Sequence, residues 1–232
     1  MTPNGVVPRG ARMTGNEDGF QFTYRTLRVL IGLLGVTLPL LLVLGTWFQP
    51  STSISDYYYT NMRDYFEGVL FFLTVFLFAY RPYRKEGLSD ILITGFSACC
   101  ALLLALFPTF NETLKHVPQG LTLNFVTGPV SGLLHNIGSG GLFVAFSVLS
   151  LFVFTRGSSG TPQKRVRNVL FIVFGVGILV CIGIVGWGAW TAPDQKARDL
   201  MNIFGPETSA LVLFGLSWLV KGGAFPFLND RN

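Results

Sequence analysis

The sequence predicts an all-α membrane protein, a bundle of six transmembrane helices with both termini in the cytoplasm. Three observations carry this. Only 12% of the residues are charged, 50% are hydrophobic, 22 are Phe, and the mean hydropathy is +0.51. A soluble domain carries about 25% charged residues, so half that charge with this hydropathy takes a bilayer as its solvent. Apolar runs approaching the length needed to cross hydrocarbon recur along the chain, separated by short polar or basic turns. The basic residues are also unevenly placed. With six spans, only Arg63, Lys115, Lys196 and Arg198 of the 17 Lys and Arg fall on the side away from the termini. The positive-inside rule then puts both termini in the cytoplasm, and the net charge of +5 reports orientation rather than a nucleic-acid partner.

The elements follow in order. Residues 1–21 are rich in Gly, Pro, Asn and Arg and read as a disordered cytoplasmic tail. The apolar run after them is too long for a signal-peptide core, and no small-residue cleavage site closes it. The first span covers 24–48. It is uncharged from Val29 onward, with Pro39 expected to kink it and Trp47 and Phe48 marking the far interface. Pro50 to Asp56 reads as a loop. The second span, 61–80, is capped by Thr60 or Asn61 and carries Arg63, Asp64 and Glu67 in its first turns. Its uncharged part, Gly68 to Tyr80, is too short to cross alone, so those charged turns must face protein or water. A basic turn, Arg81 to Lys85, closes it.

The third span, 89–107, has Ser89 as its cap and Asp90 in its first turn, and Pro108 ends it. The long connection 109–130 holds His116 on its surface, an Asn111-Glu112-Thr113 glycosylation pattern, and a mostly apolar piece, Leu121 to Val126, that reads as interfacial or re-entrant. The fourth span, 131–155, opens with His135 and Asn136, followed by Gly138, Ser139, Gly140 and Gly141, small residues that permit close helix approach. A basic loop, 156–168, precedes the fifth span, 169–190, which ends on Trp187 and Trp190. A polar linker, 191–199, leads to the sixth span, 207–220, with Pro206 before Glu207, and to a short tail, 226–232.

Cys99, Cys100 and Cys181 lie in apolar runs without metal or redox spacing and read as packing residues. Two histidines are too few for a three-histidine zinc site, and neither a metal nor a cofactor is expected. The candidate site comes from topology. Spans two, four and six all begin on the outer side, so residues distant in sequence share one membrane depth. Ser53, Ser55, Asp56, Tyr58, Arg63, Asp64, His135 and Glu207 form the candidate ligand-binding set. Three positive helix ends together with Arg63 suit an anionic group. The plainer account is that charges at helix starts complement the dipole, the three tyrosines form an interfacial belt, and a neighbouring Ser or Asn satisfies His135.

The expected function is an outward-facing pocket for a lipid head group or small polar ligand, or the role of a partner subunit. The partners are then membrane lipids, with a membrane protein or a second copy of the chain as further candidates. The alternative is a membrane-embedded hydrolase of outer-leaflet lipids. It would use Ser51, Ser53 or Ser55 as nucleophile, His135 as base and Asp56 or Asp64 as orienter, although no Gly-x-Ser-x-Gly elbow is present. A zinc site of His135, Asp64 and Glu207 is a further chemical variant. Apart from Glu67 no ionisable side chain lies deep in a span and no internal repeat is evident, which gives a transporter little support.

The run Ser53-Ile54-Ser55-Asp56-Tyr57-Tyr58-Tyr59, then Met62-Arg63-Asp64-Tyr65-Phe66, a span closed by Tyr80-Arg81, and the ending Ser217-Trp218-Leu219-Val220-Lys221-Gly222 resemble a family of uncharacterised bacterial six-span integral membrane proteins. The Ile54-Ser55-Asp56 element is similar, more distantly, to the DRAM/Sfk-type membrane proteins. The resemblance implies the six-span fold and brings no activity with it. A weaker likeness to the alkaline ceramidase and adiponectin-receptor superfamily would imply zinc-dependent lipid hydrolysis, from which this chain departs in span number and in its two histidines.

Overall fold

The computed structural model of the chain describes residues 14–80, 88–110, 128–157 and 160–230. The first thirteen residues, the Arg81–Lys85 turn, His116, the Asn111-Glu112-Thr113 pattern and the Leu121–Val126 piece lie outside them. Among the described residues every regular element is helical. Three helical stretches are long and apolar enough to cross a membrane, Tyr24–Gly45, Pro129–Val153 and Pro162–Thr191, and Asp90–Leu106 is a shorter apolar helix.

Helix α1 spans Thr14–Gly45 and continues through Pro39. It starts inside the stretch expected to be unstructured. No proline follows Pro8 until Pro39, so the helix can propagate backward from its apolar part at one added hydrogen bond per residue. A 3-10 turn, Ser55–Tyr59, occupies the segment read as a loop and the residues just after it. Helix α2 is Arg63–Ala79, entered through Thr60, whose Oγ1 accepts the Met62 N–H at 3.1 Å. Helix α3 is Leu88–Leu106. Helix α4, Pro129–Val148, runs into a π turn, Leu149–Val153.

Helix α5 is Pro162–Thr191 and starts seven residues before the expected 169. Thr161 Oγ1 accepts the Lys164 N–H at 3.2 Å and Pro162 takes the first helical position. Both are helix-start signals, so Lys164, Arg165 and Arg167 belong to a helix rather than to a basic loop. The polar linker contains a short helix, α6, Gln195–Asp199, capped by Asp194. Helix α7 is Phe204–Lys221.

The long helices form a ring in the order α1, α2, α3, α4, α5, α7, closed by α7 packing antiparallel on α1. Inside it Phe146 and Phe214 stack at 3.6 Å between centroids, and Trp218 meets Phe76, Tyr80, Phe154 and Phe214. Outward-facing Val75, Leu92, Leu133, Val173 and Ile184 are exposed, an apolar rim compatible with hydrocarbon around the bundle. Trp47, Phe48, Trp187 and Trp190 are exposed at helix ends, as interfacial aromatics are.

The closure depends on glycine. A Cβ on Gly215 would lie 2.6 Å from the Gly32 carbonyl oxygen and 2.7 Å from the Val36 nitrogen, both backbone atoms that cannot yield. At one end of the pair Arg25 donates to the Gly222 carbonyl at 3.1 Å and the Gly223 carbonyl at 2.7 Å, on the two residues that follow α7. At the other end the Thr52 carbonyl accepts both the Ile203 and the Phe204 N–H at 2.8 Å. We expect Gly215→Ala to push α1 from α7 and cost about 1–3 kcal/mol, seen as a lower melting midpoint in detergent. Gly68→Ala, whose Cβ meets nothing within 4 Å, is the matched control and leaves the midpoint unchanged or slightly raised.

Candidate functional site

The segment between α1 and α2 folds over the starts of α4 and α7 by hydrogen bonds from side chains rather than by apolar packing alone. Glu207, in the first turn of α7, accepts the Ser53 hydroxyl at 2.8 Å and the Ile54 N–H at 2.6 Å through the same oxygen, Oε2. Ser53 Oγ also accepts the Ser55 N–H at 3.0 Å. A side chain 9% exposed at a helix N-terminus therefore has two donors from consecutive residues and the dipole behind it.

Ser55 reaches α4. His135 Nδ1 lies 2.8 Å from the Phe107 carbonyl oxygen, an acceptor only, so Nδ1 carries the proton. Nε2 is then the acceptor for the Ser55 hydroxyl at 2.8 Å. His135 is 1% exposed and neutral in this tautomer, while Ser55 keeps part of its surface open. Two neighbouring bonds seat the same corner: Ser131 Oγ donates to the Pro108 carbonyl at 2.9 Å, and the Tyr59 hydroxyl donates to the Thr109 carbonyl.

Asp56 accepts the Thr52 hydroxyl at 2.6 Å. With Ser53 and Glu207 it lines an open cavity of about 400 Å³ bordered by α4, α5, α6 and the start of α7. The polar part of that lining also includes Thr52, Asn136, Ser139 and Arg198. The apolar part includes Phe143 on α4 with Ile182, Val185 and Ala189 on α5. Gly140 and Gly186 border it with empty space where a side chain would stand. Glu207 and Phe143 also line a smaller, almost wholly apolar void of about 60 Å³ in the bundle centre.

The eight expected site residues thus separate. Ser53, Asp56 and Glu207 line the cavity, and Ser55 and His135 stand beside it through Ser53. Arg63 does not join them. Its Nε donates to Glu67 at 2.7 Å, its Nη2 to the Tyr58 hydroxyl at 3.1 Å, and its guanidinium lies 4.5 Å over the Tyr58 ring. The expected anion site of Arg63 and three helix ends is therefore not what the geometry presents, because the i,i+4 carboxylate takes the guanidinium first. Burial, and then Glu67 beside it, raise the Tyr58 phenol above its ordinary range, so it stays protonated. Asp64 is exposed on the outside of α2.

His135, Asp64 and Glu207 do not assemble as a metal set. Both ring nitrogens of His135 are engaged elsewhere, and among the described residues no three His, Cys, Asp or Glu side chains stand together. The expected orienter of His135, Asp56 or Asp64, is replaced by the Phe107 carbonyl. Sequence reasoning passed over Thr52, whose carbonyl and hydroxyl both hold the site, and Arg198, counted only as an outer positive charge. Helix α6, which carries Arg198, is five residues long, and the Asp194 cap was the available signal.

No family model, curated protein or solved structure matches the chain. Its class therefore rests on the fold and the site: helical throughout the described residues, with three helices long and apolar enough to cross a membrane and a mixed polar and apolar cavity at one end of the bundle.

Glu207→Ala leaves the Ser53 hydroxyl and the Ile54 N–H without their acceptor and is expected to cost about 2–3 kcal/mol, with faster hydrogen exchange confined to residues 51–60 and the start of α7. Glu207→Gln keeps an acceptor oxygen and should retain most of the protection, a difference that hydrogen-exchange mass spectrometry resolves.

Proposed function

We propose that this is a six-span cell-membrane protein with cytoplasmic termini, whose outward-facing cavity binds the head group of a membrane lipid or a small polar ligand of similar chemistry. The bias of Lys and Arg toward one side supports the orientation. Helices α2 and α7 complete the ring between α1 and α3 and between α1 and α5, which supports counting them as spans despite Arg63, Glu67 and Glu207 in their first turns. The single observation that carries the ligand reading is the cavity of about 400 Å³, large enough for a head group. Asp56 and Glu207 bring two acidic side chains to its lining, and apolar residues of α4 and α5 line it beside them. A head group with an amine suits two carboxylates, and Arg198 suits an accompanying phosphate. A partner membrane protein or a second copy would be the occupant if no lipid were found.

Native mass spectrometry of protein extracted in mild detergent tests this. A retained lipid adduct is expected on the wild type. Gly140→Phe, which builds a ring into the cavity from a position with open space, is expected to lower its occupancy at least about tenfold without changing monodispersity. A wild type free of adduct, or an adduct that survives the substitution, would overturn the reading.

A second reading is supported by one observation. Ser55 Oγ donates to a neutral His135 at 2.8 Å, the arrangement in which a base takes a serine proton, and it stands beside the cavity. In a lipid hydrolase, Ser55 would be labelled by a fluorophosphonate probe and Ser55→Ala would abolish labelling. Absence of labelling on folded wild type removes this alternative.

A further inference from the structure

A second cavity, of about 280 Å³, lies at the opposite end of the bundle, about 20 Å from Glu207 along α7 by the rise of a helix. Arg28 of α1, Lys164 and Arg167 of α5 and Lys221 of α7 all line it, with Asp230 of the tail as the carboxylate in the lining. The four cations are half-buried, whereas Arg165, next to two of them on α5, is exposed. A preference for basic residues on one side of the membrane is met equally well by hydrated side chains such as Arg165. It does not require four of them to turn toward one space.

Four cations around one cavity suit an anionic ligand. Lys164 and Arg167 occupy the first two turns of α5, where the macrodipole is positive, and no acid sits in its first turn. Arg28 Nη2 donates to the Tyr80 hydroxyl at 2.8 Å, but its buried Nε has no hydrogen-bond partner. Arg167 Nη2 donates to Asp230 at 2.7 Å, and the hydrogen bond from Arg167, followed by that from Thr161, holds the Asp230 carboxyl below the usual carboxylate range. Among the described lining residues Asp230 is thus one carboxylate beside four cations. Lys164 Nζ donates to the Arg156 carbonyl at 2.8 Å and Lys221 Nζ lies 5.3 Å over the Phe154 ring, so the ammonium groups are placed rather than splayed into water.

We propose that this cavity binds a phosphate group, carried either by free inorganic phosphate or by the phosphomonoester head of an anionic lipid. Arginine Nε–H and lysine ammonium groups donate to phosphate oxygens with charge assistance, and the dipole of α5 adds to them. The site is independent of the Asp56–Glu207 cavity and of any ligand bound there.

The test is the melting midpoint of the purified full chain in a neutral detergent at constant ionic strength. Sodium phosphate is titrated in one arm, dihexanoyl phosphatidic acid in a second, and dihexanoyl phosphatidylcholine in a third. A saturable rise of several degrees is expected with at least one phosphomonoester and none with phosphatidylcholine. A rise equal for phosphate and phosphatidic acid assigns the site to phosphate itself, and a rise with phosphatidic acid alone assigns it to the lipid head. Apparent affinity should fall about tenfold or more in the double variant Lys164→Gln/Lys221→Gln and return in Lys164→Arg/Lys221→Arg. Lys221→Gln alone, with a loss of about threefold, reads the same effect if the double variant is not recovered folded. No rise with either anion, or an unchanged rise in the glutamine variants, overturns the proposal.

Discussion

A carboxylate buried at the first turn of a helix must be given donors, because its desolvation otherwise costs several kcal/mol. Glu207 receives them from Ser53 and Ile54, about 150 residues earlier in the chain. That requirement ties the segment after α1 to the start of α7, and much of the polar end follows from it. With Ser53 held by Glu207, the Ser55 N–H turns onto Ser53 Oγ and the Ser55 hydroxyl reaches His135 on α4. With Thr52 held by the first amides of α7, its hydroxyl presents Asp56 to the cavity. Three helices distant in sequence are thereby joined over a space that their glycines leave open.

The two ends of the bundle use helix dipoles in opposite senses. Helix α7 agrees with its dipole at both ends, with Glu207 in its first turn and Lys221 in its last. Helix α5 disagrees with its own, carrying cations where the dipole is positive. Those cations border a cavity lined, among the described residues, by four cations and one carboxylate, and an anion bound there would offset the mismatch. The polar cavity at the other end instead presents two carboxylates to an apolar wall, which suits a ligand with a cationic head and a greasy body. The pairing of these two ends is a property of the bundle as a whole, since α7 contributes to both.

The helical class was legible because bilayer-length apolar runs and low charge leave few alternatives. The element starts were less so. Thr161-Pro162 is a start signal that the basic residues after it obscured, and the tail's composition hid a helix that begins at Thr14. For the site, equal membrane depth brought Ser53, Asp56 and Glu207 together on paper, and they do share a cavity in space. Depth does not specify azimuth around a helix. Arg63 and Asp64 begin α2 at the same level, but Arg63 turns to its own Glu67 and Asp64 faces outward. The partner on His135 Nδ1 is a main-chain carbonyl at the end of α3, and a backbone acceptor leaves no mark in the identity of its residue.

The central claim is that the Glu207-anchored segment walls a ligand cavity rather than merely capping helices. An electron cryomicroscopy map of the full chain in native membrane nanodiscs, held by a rigid antibody fragment, tests it most directly. The account predicts elongated density, its head between Asp56, Glu207 and Arg198 and its body against Phe143 and Ile182, with residues 51–60 ordered above it. A map in which side chains collapse into that space, or in which only water fills it, would contradict the account.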